Sequence, residues 1–268
     1  MIVFVKRLRN KIKSGIIKTS YQTRTVFNME KFTVKFAETE EENNKSYALR
    51  YSDMLKEYRP ELNILDGLDK TEYDEYAKQF ICIDNDTNEV VGCYRIITSD
   101  ILPKGKTFVC EEEFNIDELK NSGMRIAELS RAVVKNEYRN SPVLMLLFKH
   151  ILNYLIEQDY RYIIGEASFH GVDKNEFVTE LSYLAHFHGL EEYKITSRED
   201  KQVTLIEKDK IDVMKTKRSL PPLIRAYLSF GAKVSKVTFT DWDFGSVDVF
   251  ILMDSKWFNE AFVKRFIK

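Results

Sequence analysis

Hydrophobic residues recur at two periods along the chain, and the switches between them mark its elements. Phe32, Val34 and Phe36 alternate with polar residues, so Lys31–Ala37 reads as a first strand. Glu38–Asn44 is acidic and polar and opens a helix, which Tyr47, Leu49, Tyr51, Met54, Leu55 and Tyr58 continue to Arg59-Pro60. Asn63–Lys78 is an acid-rich loop with a short helix. Gln79–Asp84 and Val90–Thr98 are two strands joined by the turn Asp84-Asn85-Asp86-Thr87-Asn88.

The richest stretch runs from Ile126 to Ser168. It reads as strand, basic turn, helix, strand. Ala127–Val134 is a strand carrying Glu128 and Arg131. Ser141-Pro142 is a helix start, because Ser suits the N-cap and Pro the first helical position. Val143–Ile156 is apolar almost all round, which predicts a buried helix. Tyr162–Gly165 is a second buried strand. Such a unit closes right-handed with parallel strands. The turn Lys135–Asn140 then sits at the helix N-terminus, where backbone N–H groups and the helix dipole favour an anion such as a phosphate.

Downstream, Asp173 caps a helix over Asn175–His188 that ends at Gly189. Tyr193–Ser197 and Gln202–Ile206 suggest a hairpin, and Lys208–Arg218 a charged linker. A helix from Ser219-Leu220-Pro221-Pro222 to Gly231, strands Lys233–Thr240 and Val247–Met253, and an amphipathic helix Trp257–Phe266 close the chain. The order β-α-α-β-β-β-α-β-α-β-β predicts an α/β fold, a mixed central sheet with helices on both faces. A single domain over 31–268 results, with an inserted helix and hairpin at about 173–206.

Composition narrows the chemistry. Of 268 residues, 44% are hydrophobic and 31% charged, with net charge −1, so a sizeable core forms and no overall field points to nucleic acid. Cys82, Cys93 and Cys110 are odd in number and lack metal-ligand spacing. They read as reduced core residues of a cytoplasmic protein. No segment reaches the ~20 apolar residues of a membrane span. Residues 1–30 differ from the rest. Lys6, Arg7, Arg9, Lys11, Lys13, Lys18 and Arg24 share the first 29 positions with no acid. Residues 1–20 suit a basic amphipathic helix lying on an anionic membrane surface; a disordered tail, or a true start at Met29, is the plainer reading.

Several short motifs occur in order. They are Tyr47-Ala48-Leu49-Arg50-Tyr51, Val90-Val91-Gly92-Cys93-Tyr94-Arg95 and Glu128-Leu129-Ser130-Arg131. Glu137-Tyr138-Arg139-Asn140 follows, ahead of Leu144-Met145-Leu146-Leu147. Then come Leu220-Pro221-Pro222-Leu223-Ile224-Arg225-Ala226-Tyr227-Leu228 with Gly231-Ala232-Lys233-Val234, and Asp241-x-x-Phe244-Gly245. Over roughly Tyr47–Asp254 this set resembles the ornithine N-acyltransferases that make lyso-ornithine lipid. These belong to the GCN5-related acyltransferase superfamily and are related to acyl-homoserine-lactone synthases. The chain departs from that pattern at Ser141-Pro142, where a glycine and a small residue are usual.

The resemblance implies that a long-chain fatty acyl group, 3-hydroxylated or not, passes from the phosphopantetheine thioester of acyl carrier protein to the amine of an amino acid such as ornithine, with no resident cofactor and no metal. It implies Glu128 and Arg131 as catalytic residues. Glu128 would accept the amine proton and Arg131 would hold the strand or the acidic loop; a structural ion pair is the alternative for both. Arg50, Asp74 and Arg95 would bind the acceptor. Ala132, Val133, Val134, Arg139, Asn140, Ser141 and Val143 would bind the phosphopantetheine. For Arg95 a carboxylate partner is expected, with Glu128 one candidate. Alternation puts Glu128, Ser130 and Ala132 on one face and Leu129, Arg131 and Val133 on the other. His170 is a cleft residue or a loop histidine. His186 and His188 have metal-like spacing without a completing ligand. Arg139, Lys149 and Lys208–Arg218 are candidates for docking the acidic carrier protein. Short-chain acetyl transfer, homoserine-lactone synthesis and non-catalytic membrane binding are the competing readings. The Leu220–Val234 motif argues against the first two, and the retained Glu128 and Arg131 against the third.

Overall fold

Eight strands form one mixed sheet in a computed structural model that describes residues 27–29, 31–199 and 201–258. In chain order the elements begin with β1 (Phe27–Met29), β2 (Phe32–Phe36), α1 (Glu40–Arg50), β3 (Lys78–Asp84), β4 (Glu89–Thr98), β5 (Phe114–Asn115) and α2 (Asp117–Asn121). They continue with β6 (Ile126–Val134), α3 (Val143–Glu157), β7 (Tyr162–His170), α4 (Val178–Phe187) and β8 (Thr196–Ser197). The last are α5 (Val213–Ser219), α6 (Pro222–Ser229), β9 (Lys233–Asp241) and β10 (Ser246–Asp254). The sheet order is β1-β2-β3-β4-β6-β7-β10-β9, and β5 pairs with β8 apart from it. Neighbours run antiparallel except β6 and β7, which are parallel. Helix α3 is their crossover, as a parallel pair requires.

The helices cover both faces. Phe148, Leu147, Ile151 and Leu155 of α3 pack on Tyr94, Ile96 and Leu129. Each such buried side chain contributes on the order of 1.5–3 kcal/mol. Ile224, Tyr227 and Phe230 join the same cluster, so much of the Leu220–Val234 motif is a packing element. Arg225 of that motif donates to the Arg218 and Leu220 carbonyls and closes the end of α5. On the other face, Leu49 of α1 packs with Ile81, Cys93 and Val133. Helix α3 is less completely buried than its sequence suggests, because Met145 is exposed on its outer side. Ser141 Oγ accepts from the Val143 N–H at 3.3 Å two residues before the regular helix, so Pro142 takes the cap position and not the first helical one.

Three expectations are corrected. The described residues of 193–206 form no hairpin; Thr196-Ser197 pairs with Phe114-Asn115 instead. The supposed linker at 208–218 contains α5, capped by the Asp212 side chain on the Lys215 N–H. The first helix changes to a π-helical turn at Tyr51–Leu55 before ending at Tyr58. The basic helix expected near the N-terminus and the closing helix from Trp257 to Phe266 lie outside the described residues, apart from Trp257 and Phe258.

Candidate acyltransfer site

Three arginines and two aspartates meet under α1. Arg50 has no exposed surface. Its Nε lies 3.0 Å from Asp69 Oδ2, and its Nη1 and Nη2 hold Asp74 at 2.7 and 3.0 Å. Arg95 is equally buried. It donates from Nε to Ser130 Oγ at 2.9 Å and from Nη1 to Thr71 Oγ1 at 2.9 Å, and its nearest carboxylate is Asp74 at 3.7 Å. The partner of Arg95 is therefore Asp74, not Glu128. Arg131 reaches Asp69 Oδ2 at 3.0 Å and keeps about a quarter of its side chain exposed. Burial raises the Asp74 carboxyl, but the Arg50 hydrogen bond and charge outweigh it and hold Asp74 below the usual range. Burial, together with repulsion from Arg131 and Arg50, brings Arg95 down to about 10. The acidic loop thus spends Asp69 and Asp74 on arginines. Arg50, Asp74 and Arg95 come together and contact one another, with little or no exposed surface.

The expected alternation along β6 fails at Arg131. Arg95 pairs with Ser130 and Cys93 with Val133, so β6 holds one extra residue there. Arg131 takes φ +52, a left-handed conformation uncommon for a side chain that large. This bulge turns Arg131 toward the face already occupied by Ser130 and Arg95, which is how it meets Asp69. No glycine marks the position.

Glu128 is 1% exposed. Its two carboxylate oxygens accept from the Val109 and Cys110 N–H groups at 2.9 and 2.8 Å. Burial pushes its carboxyl up, and those two N–H groups only partly offset this. Glu128 thereby anchors the turn Val109–Glu112, which delivers Glu113 to the sheet.

Between β6 and β7 the sheet forks. Pairing covers only Ile126–Leu129 against Tyr162–Gly165, while both strands run on, to Val134 and His170. At the crotch a Cβ on Gly165 would lie 2.5 Å from the Leu129 carbonyl oxygen, so only glycine fits. Ala132, Val133 and Val134 lie along the open limb, and Asn140, Ser141 and Val143 lead into α3. The basic turn is largely neutralised. Arg139 donates to Glu57 at 2.5 Å and to the Asp53 carbonyl, Lys135 pairs with Glu89, and the Asp53 carboxylate takes the Asn136 N–H. A phosphate there would depend mainly on backbone N–H groups.

On the far limb, sequence reasoning missed an acid cluster. Oxygens of Glu113, Asp241 and Asp248 all lie within 4.8 Å of one another. Glu166, the first residue beyond Gly165, hydrogen-bonds Glu113. Burial and mutual repulsion raise Glu113 and Glu166 far above the carboxylate range, and burial lifts Asp248 to about 6. Beside them Tyr58 stacks on Phe244, whose ring also faces the Arg131 guanidinium at 5.7 Å. Phe244 is set by a turn in which Asp241 accepts from the Phe244 and Gly245 N–H groups. His170 ends β7 and packs its ring on Tyr58 at 4.8 Å. Acidic residues in otherwise apolar strands, Glu166 in Tyr-Ile-Ile-Gly-Glu and Asp248 in Val-Asp-Val-Phe, were the available signal. His186 and His188 turn to different partners, the Ile206 carbonyl and the Tyr183 hydroxyl.

Several known proteins are similar to this chain. Residues 49–149 match the acetyltransferase (GNAT) domain family. The chain is 28% identical over 238 residues to the L-ornithine N(alpha)-acyltransferase of Rhodobacter capsulatus, covering 85% of this chain and 92% of that protein. It is also 28% identical over 234 residues to the protein of that name from Rhizobium meliloti, covering 82% of this chain and 78% of that one. The solved AHL synthase LasI is similar at 15% identity and a TM-score of 0.44, covering 82% of this chain and 89% of that one. The match at residues 49–149 and the two ornithine N-acyltransferases matched over most of the chain mark it as an acyltransferase built on an α/β mixed sheet.

Proposed function

We propose that this GNAT-domain acyltransferase moves a long-chain acyl group from the phosphopantetheine thioester of acyl carrier protein to the α-amine of ornithine, giving a lyso-aminolipid. The fork between β6 and β7 carries the reading. It leaves the β7 side of β6 beyond Leu129 without a strand partner, so that the amides of a pantetheine arm could continue the ladder along Ala132–Val134, taking over the Val134 carbonyl from its 3.4 Å contact with Arg139. The thioester then lies near the crotch, with backbone N–H groups available to its developing oxyanion. The phosphate would lie at the start of α3, where the Asn140 N–H could meet it and the Val143 N–H could exchange its long 3.3 Å contact with Ser141 Oγ for it, while the Ser141 N–H stays on the Tyr138 carbonyl.

In the reaction the free amine attacks the thioester carbonyl, a C–N bond forms, the C–S bond breaks, and the leaving thiolate takes a proton. Glu128 accepts the ammonium proton through water at a lone pair that its contacts with the Val109 and Cys110 N–H groups and the Cys110 thiol leave over. Its raised affinity for a proton suits that role. Arg131 is the natural partner for the acceptor carboxylate. It is the exposed member of a network with three arginines and two aspartates, which leaves one positive charge in excess. Arg50, Asp74 and Arg95 position it. For the acidic carrier protein, α5 offers Lys215, Lys217 and Arg218 around the exposed Val213 and Met214. Peripheral contact with a membrane through residues 1–20 belongs to the same reading.

The test is product mass spectrometry with long-chain acyl carrier protein, acyl coenzyme A and a panel of amino acids. N-acylornithine formed from the carrier-protein donor is expected, and Glu128→Gln should lower kcat by about 10²–10⁴-fold. Wild-type turnover in that variant would remove Glu128 from the mechanism. No transfer from either donor to any amine would overturn the reading.

A further inference from the structure

The acid cluster beside the fork has little counter-charge among the described residues; Arg59 acts on Asp241 only at a distance and from the exposed side. Among the described residues, neither Glu113, Glu166, Asp241 nor Asp248 makes an ion pair with a lysine or arginine. Asp248 is 3% exposed. Its Oδ2 accepts from Ser246 Oγ at 2.8 Å and the Ser168 hydroxyl opposite it on β7 also eases its charge, but its Oδ1 is buried and meets no donor at hydrogen-bond distance. Glu166 Oε1 is in the same condition. A buried carboxylate oxygen left without a donor is costly, and several converging on one spot describe a place built to receive donors.

The position of the cluster says which donors. Glu166 is the first residue past the crotch, so the cluster adjoins the point where the thioester would lie. Glu166 alternates along β7 with Ile164 of the cluster under α2, and Asp248 along β10 with Phe250 of that same cluster. Both side chains therefore stand on the sheet face that also carries Arg95 and Glu128, not on the face covered by α3. Tyr58 and Phe244 form an aromatic wall between Arg131 and Asp248.

We propose that Glu113, Glu166 and Asp248 form the subsite for the second, unreacted ammonium of a diamino-acid acceptor. This rests on the acyltransferase reading above and deepens it. The acceptor carboxylate lies at Arg131, its alkyl stem against Tyr58 and Phe244, its α-amine at the fork, and its terminal ammonium among the carboxylates. An ammonium carries three donors, which matches three converging carboxyl groups. A hard divalent cation asks for six or more oxygens, and here two of the four acids already contact each other. Protons that Glu113 and Glu166 hold in the empty site would leave as the ammonium enters.

The experiment compares ornithine with norvaline, which has the same carbon chain without the terminal amine. Steady-state kinetics use the full chain with acyl carrier protein donor, as wild type, Asp248→Asn and Glu113→Gln. The wild-type ratio of kcat/KM, ornithine over norvaline, should exceed about 10². In each variant that ratio should fall by about tenfold or more, through KM for ornithine. Thermal melts establish that the variants are folded. Calorimetric binding of the two amino acids without donor provides a readout independent of turnover. Ornithine binding should release protons, seen as a dependence of the enthalpy on the buffer, and norvaline binding should not.

A wild-type ratio near one, with both amino acids acylated, would overturn the subsite and leave the acyltransferase reading standing. An unchanged ratio in both folded variants would do the same. Titration of Mg²⁺, Ca²⁺ or Mn²⁺ showing tight uptake that Asp248→Asn abolishes would assign the cluster to a metal and overturn it. Failure to acylate any amino acid counts against the acyltransferase reading, and the calorimetry then decides the subsite by itself.

Discussion

Two groups of charged residues share one face of the sheet, on opposite limbs of the fork, and they are balanced in opposite ways. On the β4–β6 limb, Arg50, Arg95 and Arg131 meet Asp69 and Asp74, and nearly every polar atom has a partner. On the β7–β10 limb, Glu113, Glu166 and Asp248 form no ion pair with a cation among the described residues, and each keeps a buried oxygen without a donor. Burial alone therefore does not identify a binding group. The first cluster is as buried as the second, yet it has answered its own charges and serves as a floor. The second waits for charge from outside.

The largest expected effect breaks the first cluster. Asp74→Ala leaves Arg50 and Arg95 buried with one aspartate between them, and should cost about 3–5 kcal/mol. At about 2–4 °C per kcal/mol for a chain of this size, the melting temperature falls on the order of 10 °C. A loss under about 1 kcal/mol in urea titration would show that the network is not the floor described. Gly165→Ala tests the hinge between the limbs. Its Cβ must displace the Leu129 carbonyl, so a loss of about 1–3 kcal/mol is expected, with acyl transfer falling alongside. Stability kept with transfer intact would mean the crotch is not rigid.

The second cluster has the reverse signature, and pH reveals it. The folded pKa of Asp248 is raised, from 3.8 to about 6. Its contribution is full below the ordinary value and is lost as pH rises through about 6. Glu113 and Glu166, also raised, extend that loss to higher pH. Asp248→Asn should therefore be more stable than wild type at pH 8, by about 1–2 kcal/mol, with the difference closing near pH 3.5. Urea midpoints across that range check it; equal midpoints at pH 8 would show that the carboxylate is not held against its charge. The smallest effect belongs to the exposed pair Arg139–Glu57. Arg139→Ala should change stability by less than about 1 kcal/mol and weaken donor affinity mainly at low salt, which KM measurements at two ionic strengths would reveal.

Much of the fold was legible because local signals agreed. Helix α3 has an apolar run and Ser141-Pro142 ahead of it, and the β3–β4 hairpin has a polar turn between two apolar strands. The parallel pairing of β6 and β7 followed from their crossover. What escaped was set by long-range contacts. The bulge at Arg131 has no glycine to announce it, and its left-handed backbone is imposed by the strands beside it. The partner of Arg95 lies in a loop twenty residues upstream, beyond any periodicity argument. The acid cluster gathers side chains from four separate segments around positions 113, 166, 241 and 248; Glu166 and Asp248 stand out in apolar strands, but nothing local says which other acids they meet. The pairing of β5 with β8 joins segments eighty residues apart that are too short to show a pattern.

The early end of pairing between β6 and β7 has one more consequence. It places a strand edge inside the sheet instead of at its rim. Outer edges invite other copies of a chain to add on, and proteins guard them with charge or cover. This one is walled by β4 on one side and β10 on the other, so only a narrow, single extended molecule can enter. The amides of residues 130–134 that point across the gap should exchange with solvent hydrogen as quickly as those of a rim strand. Their neighbours pointing toward β4 should stay protected. The protein can thus keep a permanently open backbone ladder for recognition without exposing it to self-association.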